Sequence, residues 1–256
     1  MINEISTCLA CGSGKLFPTL DLGHQPLANN FVHPNHLDGP KFALAVNRCK
    51  ECNHLQLTHA VDPEIIYKHY LYVSGTSRTY LEYMDWYAGF VREQMPVWPP
   101  SVLDIGCNDG SQLDAFKRIG FKTYGVDPAK NLHETSTSKG HNVICDFWPT
   151  DQGFDTQFDV ITAQNSSAHN PNPLYWLLNA VQRLKQDGKI FISTSQADMV
   201  LNGEFDTIYH EHISYYNAYS MNCLAERAGL YLVDVIKTPI HGTSYIFVLA
   251  KKPANE

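Results

Sequence analysis

The sequence lacks any apolar run of the roughly 18 to 20 residues that a membrane-spanning helix needs. Its first residues, Met1 to Glu4, do not form the basic segment and apolar stretch of a secretory signal peptide. Basic residues are also scarce, because 19 Lys and Arg stand against 26 Asp and Glu and give a net charge of −7. These features argue against a membrane protein, a secreted protein and a nucleic-acid-binding protein. We therefore expect a cytoplasmic protein that binds neither membranes nor nucleic acids.

The composition is that of a folded protein with a substantial core. Hydrophobic residues make up 44% of the 256 residues and aromatic residues 12%, which excludes disordered, collagen-like and coiled-coil chains. The seven cysteines are an odd number without a secretion signal. This indicates free thiols in a reducing compartment rather than a network of disulfide bonds.

Four cysteines form two close pairs in the first part of the chain, Cys8 with Cys11 and Cys49 with Cys52. Two C-x-x-C turns can bring four thiolates around one tetrahedral zinc ion. Because all four ligands are cysteines, no position remains open for water, and we expect a structural zinc ion. The alternatives are two unrelated pairs of core cysteines, or a redox motif, although neither pair opens a helix after a strand.

The chain changes character near residue 70, and we predict a zinc-binding module over 1–70 followed by an α/β domain over 71–256. Strands are expected over 101–106, 122–126, 142–145, 158–163, 189–194, 231–236 and 244–250. Helices are expected over 72–95, 111–119, 129–138, 174–185 and 220–228. This alternation predicts a mostly parallel, doubly wound sheet. The last two strands are too close in sequence for a helical crossover and should pair antiparallel.

A glycine-containing turn follows the first strand of this domain, in the pattern Asp104-x-Gly106-x-x-x-Gly110. Glycine there lets the backbone approach a ligand at the carboxyl end of the strand. Asp127 ends the second strand, where a carboxylate can accept hydrogen bonds from both ribose hydroxyls of an adenosine. Alternatively, Asp127 caps the helix that follows. The turn is neither the G-x-G-x-x-G dinucleotide motif nor a P-loop, so a nicotinamide enzyme is the weaker interpretation.

Together these features resemble the class I S-adenosylmethionine (SAM) methyltransferases, whose α/β fold is a Rossmann-like doubly wound sheet with an antiparallel last strand. In such enzymes the residues after the third strand hold the adenine, and those after the fourth face the methionine end of SAM. The resemblance implies SAM as cofactor and the following cofactor-binding residues: Asp104, Gly106, Asn108, Gly110, Asp127, Pro128, Asp146, Phe147, Gln164 and Asn165.

The densest polar stretch follows the fifth strand and runs EFDTIYHEHISY over 204–215. It should therefore lie over the carboxyl edge of the sheet, where open α/β folds bind ligands. Its tyrosine, two histidines and glutamate concentrate groups that can move protons. His169, after the neighbouring strand, is a further candidate. The alternatives are a metal-binding pair, His210 with His212, or a structural hydrogen-bonded network.

Three phrases resemble a narrower family, the sugar C-methyltransferases of deoxysugar biosynthesis: DLGHQPLANNF at 21–31, YVSGTS at 72–77 and FDTIYHEHISY at 205–215. Members join an N-terminal zinc-binding module to a SAM domain. They methylate carbon 3 of a nucleotide-linked 4-keto-deoxysugar through an enolate. The resemblance implies Tyr209 and His212 as base candidates and Glu211 and His169 as assisting residues. It also implies that Tyr72 and Ser74 cover the cofactor.

The chain also departs from that family. Members usually continue into a further domain that helps hold the nucleotide sugar, and they carry HGGSLR where this chain has HGTSY at 241–245, without the arginine. Cys107 replaces their usual serine. The resemblance therefore leaves room for a longer polypeptide, for a partner subunit, or for methylation of another sugar, at carbon or at oxygen. A module that binds SAM and zinc and assists a partner enzyme is the non-enzymatic alternative.

Overall fold

A computed structural model describes residues 2–28, 33, 39–67, 70–96, 100–194, 196–240 and 243–253. The elements of the N-terminal part are β1 (Ile2–Glu4), β2 (Leu16–Gln25), β3 (Phe42–Cys49), β4 (Leu55–Leu57), β5 (His59–Val61) and α1 (Pro63–Tyr67). The remaining elements are α2 (Arg78–Glu93), β6 (Ser101–Ile105), α3 (Ser111–Arg118), β7 (Lys122–Val126), α4 (Lys130–Ser138), β8 (Asn142–Ile144), β9 (Phe158–Gln164), α5 (Pro173–Arg183), β10 (Leu184–Thr194), α6 (Ala197–Leu201), β11 (Ser214–Tyr215), α7 (Ala218–Arg227), β12 (Leu230–Thr238) and β13 (Ser244–Lys251).

The central sheet has the predicted doubly wound form. In the described part of the chain its order is β12-β13-β10-β9-β6-β7-β8. Strands β6 to β10 pair in parallel, and β13 lies antiparallel between β10 and β12. This arrangement confirms the class I SAM methyltransferase fold with its antiparallel last strand. The order reverses beside β6, which places the carboxyl ends of β6, β7 and β9 around one crevice.

Each face of the sheet buries its own hydrophobic cluster, because side chains along a strand alternate between the two faces. On β6, Val102 packs with the helices α2 and α3, whereas Leu103 packs with α5 and α7. On β9, Val160 and Ile161 divide in the same way. The strands are therefore apolar on both sides, as expected for a sheet covered by helices on both faces.

The N-terminal part forms a second sheet in the order β2-β3-β4-β11. Its outer strand, β11, comes from the far end of the chain and pairs antiparallel with β4. The loop carbonyl of Ile213 accepts a hydrogen bond from the Leu57 amide at 2.9 Å, which extends this pairing. The Arg227 guanidinium, at the end of α7, donates to the Ala10 carbonyl at 2.6 Å. The predicted division at residue 70 stays a prediction, since the two parts share this sheet and a continuous core.

The predicted helix over 72–95 is wrong at its beginning. Helix α2 begins at Arg78, because the Ser77 hydroxyl oxygen caps it by accepting a hydrogen bond from the Tyr80 amide. The preceding residues, 70–77, form a non-helical segment with one 3-10 turn at Ser74–Thr76. We call residues 70–77 the strap, because they lie across the crevice at the carboxyl edge of the sheet. Among the helices of the described ranges, none has the length and apolarity to span a bilayer.

Candidate functional site

A cavity of about 620 Å³ opens at the carboxyl ends of β6, β7 and β9. The strap, α1 and the polar loop before β11 complete its walls. Most of the sequence-predicted site residues line it: Tyr72, Ser74, Gly106, Asn108, Asp127, Pro128, Phe147, Gln164, Asn165, His169, Tyr209 and His212. Four predicted residues do not: Asp104, Gly110, Asp146 and Glu211. The cavity therefore brings the predicted cofactor-binding and proton-transfer groups into one space.

The two glycines of the turn after β6 have different structural roles. Gly106 has φ 85° and lines the cavity, and a Cβ there would lie 2.6 Å from Cβ of Ser166. Glycine is therefore needed at this position both for the backbone angle and for the space. Gly110 has φ 80° but lies at the start of α3, packed under His141 and Ser136. Its place in the structure is that of a helix cap, away from the cavity.

Asp104 lies on β6 beneath the turn, with 3% of its surface exposed. Its Oδ1 atom is buried and has no hydrogen-bond partner among the described residues. Burial, with a smaller contribution from nearby Asp127, raises the pKa of the Asp104 carboxyl to about 8. An unpaired carboxyl beside a cavity wall is a group that a bound cofactor can satisfy.

Asp127 and Asn108 tie the cofactor turn to the strap. The two carboxylate oxygens of Asp127 accept hydrogen bonds from the Ala129 and Asn108 amides, both at 2.8 Å. The Asn108 side chain accepts from the Ser74 amide at 2.9 Å and donates to the Tyr72 carbonyl at 3.0 Å. Asp127 therefore stabilises the turn after β7, but it does not cap α4, whose N-cap is Ala129 without a side-chain capping hydrogen bond. A carboxylate accepts up to about four hydrogen bonds, so it can still bind ribose hydroxyls.

Aromatic side chains form the end of the cavity beside β8. Phe147 lines it as expected, and so do Trp148 and Trp176, which the sequence analysis missed. The Trp148 indole donates a hydrogen bond to the Trp176 carbonyl at 3.1 Å, and this bond fixes the Trp148 ring against α5. Asp146 instead accepts hydrogen bonds from the Phe147 amide and from a threonine hydroxyl outside the cavity. Flat apolar walls of this kind suit the adenine ring.

The residues after β9 supply polar groups at the opposite end. The Gln164 amide donates to Oε1 of Gln112 at 2.5 Å, and its own Oε1 atom is buried without a partner among the described residues. Asn165 has φ 52°, a left-handed conformation that turns the chain sharply over the cavity. These positions fit the methionine end of SAM. With Asp127 and the aromatic end, the cavity has groups that fit each part of SAM, whereas Asp104 lies behind its wall.

Tyr209 and His212 form a hydrogen-bonded pair at the cavity wall. The Tyr209 hydroxyl and Nε2 of His212 are 2.9 Å apart, and Nδ1 of His212 is 3.0 Å from the Thr207 carbonyl. Because a carbonyl oxygen only accepts, Nδ1 carries the proton, and Nε2 accepts the hydrogen bond from Tyr209. Burial, followed by the charge of Glu211, raises the pKa of the Tyr209 phenol. The pair thus presents a protonated phenol whose proton has an imidazole acceptor.

His169 and Glu211 flank this pair in different ways. The His169 ring lies 5.3 Å from the His212 ring, and its pKa is lowered well below the usual range by burial and then by His212. His169 is therefore neutral. Glu211 is 3% exposed and accepts a hydrogen bond from the Tyr70 hydroxyl at 3.1 Å. It stands behind the cavity wall and binds a tyrosine of the strap, a role that the sequence analysis did not foresee.

The metal-binding alternative for His210 is not supported. His210 points away from the cavity and lies 3.2 Å from the Phe42 carbonyl, whereas His212 faces Tyr209. Within the described ranges, Cys8, Cys11, Cys49 and Cys52 form the one group of three or more candidate metal ligands. Residues 29–31 of the phrase at 21–31 and residues 241–242 of the HGTSY phrase lie outside the described residues.

The four cysteine sulfurs converge as a tetrahedral zinc site requires. All four lie within 4.8 Å of one another, with 3.5 Å between Cys8 and Cys52 and 3.6 Å between Cys11 and Cys49. Zinc–sulfur bonds of about 2.3 Å in a tetrahedron separate the sulfurs by roughly 3.8 Å, so the residues fit the ion. Both pairs lie on tight turns, and Cys49 ends β3. The four sulfurs fill the coordination sphere, as expected for a structural metal.

The chain matches a family model described as methyltransferase domain over residues 80–235 and a zinc binding domain model over residues 8–67. It is 28% identical over 265 residues to the C-methyltransferase NovU of Streptomyces niveus, covering 100% of this chain and 63% of NovU. The chain therefore spans less than two thirds of the length of that relative. It is 24% identical over 179 residues to a ubiquinone biosynthesis O-methyltransferase of Coxiella burnetii, covering 63% of this chain and 76% of that protein.

Solved structures show the same fold at low sequence identity. One is magnesium protoporphyrin IX methyltransferase, ChlM, from Synechocystis PCC 6803 with bound SAM, at a TM-score of 0.53 and 11% identity. The match covers 67% of this chain and 79% of ChlM. This match shows that the two proteins share a fold.

Proposed function

Because the chain belongs to the methyltransferase domain family, with SAM as cofactor and a zinc-binding domain at its N-terminus, we propose that it C-methylates a nucleotide-linked deoxysugar beside a 4-keto group. The observation that carries this proposal is the Tyr209–His212 hydrogen bond of 2.9 Å at the wall of the cofactor cavity. A base at that place is what carbon methylation needs, since a C–H bond must be broken before the carbon can accept a methyl group.

The base is the Tyr209–His212 pair as a unit. A phenol with a raised pKa does not ionise by itself near neutral pH, so it needs a proton acceptor. His212 supplies this acceptor, because the Thr207 carbonyl holds its proton on Nδ1 and leaves Nε2 free of a proton. As the C–H bond breaks, its proton passes to the Tyr209 oxygen, and the phenol proton passes to Nε2 of His212.

The electron pair of the broken C–H bond enters the adjacent carbon–carbon bond, and the former ketone oxygen becomes an enolate oxygen. The negative charge of the enolate is then balanced by the positive charge on His212 within the same site. Asn165 lines the cavity near the carboxyl end of β9 and presents a side-chain amide there, whereas the Ser166 hydroxyl donates its proton to the Ile105 carbonyl at 2.6 Å. Donors placed beside a developing oxyanion are a large contribution to catalysis in enzymes of this kind.

SAM supplies an electrophilic methyl group when it is bound. The residues proposed to hold it are those of the glycine turn, Asp127, the aromatic end of the cavity and the residues after β9. The strap covers this site through Tyr72 and Ser74, whose backbone groups are both hydrogen-bonded to the Asn108 side chain. Covering the site excludes water, which would otherwise compete for the methyl group and protonate the enolate.

The cavity wall contains no lysine or arginine among the described residues, whereas Asp127 and Asp206 line it. A diphosphate group would be poorly neutralised in such surroundings. We therefore infer that the sugar ring enters the cavity and that the nucleotide remains outside. A further domain or a partner subunit is the proposed source of nucleotide contacts. The proposal draws its support from the C-methyltransferase NovU, which aligns with the entire chain.

Methyl transfer from labelled SAM tests the proposal, with nucleotide-linked sugars supplied with and without a 4-keto group. We expect transfer to keto sugars alone, together with solvent-deuterium exchange beside the ketone when S-adenosylhomocysteine replaces SAM. Tyr209→Phe and His212→Ala should abolish both. Tyr87→Phe is the matched control, because its phenol is buried against Thr162 and does not line the cavity.

Transfer to sugars without the keto group would instead support O-methylation, with the same pair removing a hydroxyl proton. The Coxiella burnetii relative is an O-methyltransferase, so this outcome is a defined alternative. If SAM binds and no sugar is methylated, the catalytic proposal for the isolated chain is wrong, and the role of a module that assists a partner enzyme replaces it.

A further inference from the structure

Tyr67, the last residue of α1, carries a hydroxyl that has no hydrogen-bond partner among the described residues, although its oxygen is completely buried. Tyr67 lines the cavity, and its ring stacks on His169 with 5.7 Å between centroids and 11° between planes. The charges that act most strongly on its phenol are those of Glu211, Tyr70 and Tyr209. The hydroxyl therefore lies near the proposed base pair.

His169, the other ring of this stack, also carries a buried polar atom without a partner. Its Nε2 atom is buried and has no hydrogen-bond partner within the described part of the chain. A buried polar atom without a hydrogen-bond partner lowers the stability of the folded protein. Two such atoms on stacked neighbouring rings that both line one cavity indicate that a ligand, rather than the protein, provides their partner.

Other phenols near the site do not share this feature. The Tyr70 hydroxyl donates to Glu211 and that of Tyr209 to His212. Tyr83 also has a buried phenol without a hydrogen-bond partner among the described residues, and burial raises its pKa, but Tyr83 does not line the cavity. Tyr67 therefore differs from Tyr70 and Tyr209 in lacking a partner, and from Tyr83 in lining the cavity.

We propose that Tyr67 and His169 together form the subsite that binds a hydroxyl group of the acceptor sugar. This inference rests on the proposed function and deepens it, because it names a residue that contacts the acceptor. A sugar hydroxyl suits this pair, since it accepts a hydrogen bond from the Tyr67 phenol and donates one to an imidazole nitrogen. The Tyr67 phenol stays protonated, because burial and then Glu211 raise its pKa well above the usual range.

The subsite predicts that removing one oxygen changes stability and binding in opposite directions. Tyr67→Phe removes a hydroxyl that is unsatisfied without the acceptor, so the free protein should melt at the same temperature or about 2 to 4 °C higher. The same variant should bind the acceptor about 3- to 10-fold more weakly, which corresponds to the loss of one hydrogen bond. Its affinity for S-adenosylhomocysteine should not change. A purely structural tyrosine would not produce this combination.

The experiment compares the parent protein, Tyr67→Phe and the matched control Tyr83→Phe, which alters a buried phenol away from the cavity. It measures the melting temperature, the S-adenosylhomocysteine affinity and the affinity of the loaded protein for a nucleotide-linked 4-keto-deoxysugar. A series of acceptors, each lacking one hydroxyl, identifies the group that is bound. Compared with the full acceptor, the analogue that lacks this hydroxyl should bind the parent protein more weakly. The same analogue and the full acceptor should bind Tyr67→Phe with equal affinity.

Equal acceptor affinity of the parent and Tyr67→Phe, in a parent that transfers methyl groups, would overturn the subsite and leave the proposed function intact. A drop in S-adenosylhomocysteine affinity of the same size would also overturn it, because the variant would then disturb the whole site. If the parent binds no 4-keto sugar, the subsite and the proposed function are both wrong. Weaker acceptor binding by Tyr67→Phe alone, with Tyr83→Phe unchanged, supports the subsite.

Discussion

Replacing Asp104 by asparagine should stabilise the protein without bound cofactor, and by an amount that grows with pH. The carboxyl is 3% exposed and Oδ1 has no partner among the described residues. Burial and then Asp127 raise its pKa to about 8, against a usual value of 3.8. The folded state therefore holds this proton more tightly than the unfolded state. The resulting stabilisation is complete below pH 3.8 and is lost as the pH rises through about 8.

The size of the effect follows from the two pKa values. Between them, each pH unit removes about 1.4 kcal/mol from the free energy of unfolding. From pH 5 to pH 7 the loss for Asp104 amounts to about 2.5 kcal/mol, because its unfolded form is partly protonated at pH 5. Asparagine has nearly the same shape and does not titrate, so Asp104→Asn should match the parent near pH 4 and exceed it at pH 7.

Urea unfolding at pH 5, 6 and 7, with zinc present and cofactor removed, measures this difference. Asp159→Asn is the matched control, since Asp159 is also buried on the central sheet. Burial opposes its ionisation, but hydrogen bonds from Ser101 and the neighbouring Lys185 lower the pKa of Asp159 overall. That variant should be destabilised equally at all three pH values. A difference between Asp104→Asn and the parent that does not change with pH would refute the reasoning.

Three further predictions concern the zinc site and the strap. Cys8→Ser should lose its zinc, as measured by metal analysis, and should retain SAM binding, as measured by calorimetry. Hydrogen exchange near β11 should become faster, because β11 pairs with the sheet that carries the zinc ligands. Loss of SAM binding would contradict this prediction. Gly75→Ala should weaken SAM binding about tenfold, because the added Cβ would clash with the side-chain oxygens of Asp109 and Ser111. Gly89→Ala, where the Cβ meets open space, should leave the affinity unchanged. Asn108→Ala should weaken SAM binding about tenfold through the loss of two hydrogen bonds to the strap, and unchanged calorimetric affinity would exclude this role.

Much of the α/β domain could be predicted because its signals are local. The predicted strand over 122–126 coincides with β7, and the strand over 158–163 differs from β9 by one residue. Short apolar runs and glycine turns mark such strands wherever they lie in the fold. The predicted helix includes residues 72–77 of the strap because the helical spacing of Leu81, Met84 and Tyr87 begins just after them. The contacts that hold the strap come from Asn108, more than thirty residues later.

The sheet of the N-terminal part could not be predicted, because its strands have little periodicity and one of them, β11, comes from a distant part of the chain. Trp176 was missed for a similar reason. It lies on α5 within an amphipathic pattern typical of a core helix, and only the packing of α5 brings it to the cavity. Trp148 was within reach of prediction, since it follows Phe147 directly.

By itself, the sequence determined the class of fold, the cysteine ligands and the polar stretch near the sheet edge, because residue spacing and strand order specify each of them. Only the tertiary structure decided which of those polar groups face the cavity and which support it. Tyr209 and His212 meet in a hydrogen bond, whereas Glu211 binds Tyr70 and His210 turns to Phe42. Adjacent side chains in one loop point in different directions, and only distant elements packing around the loop select which direction each of them takes.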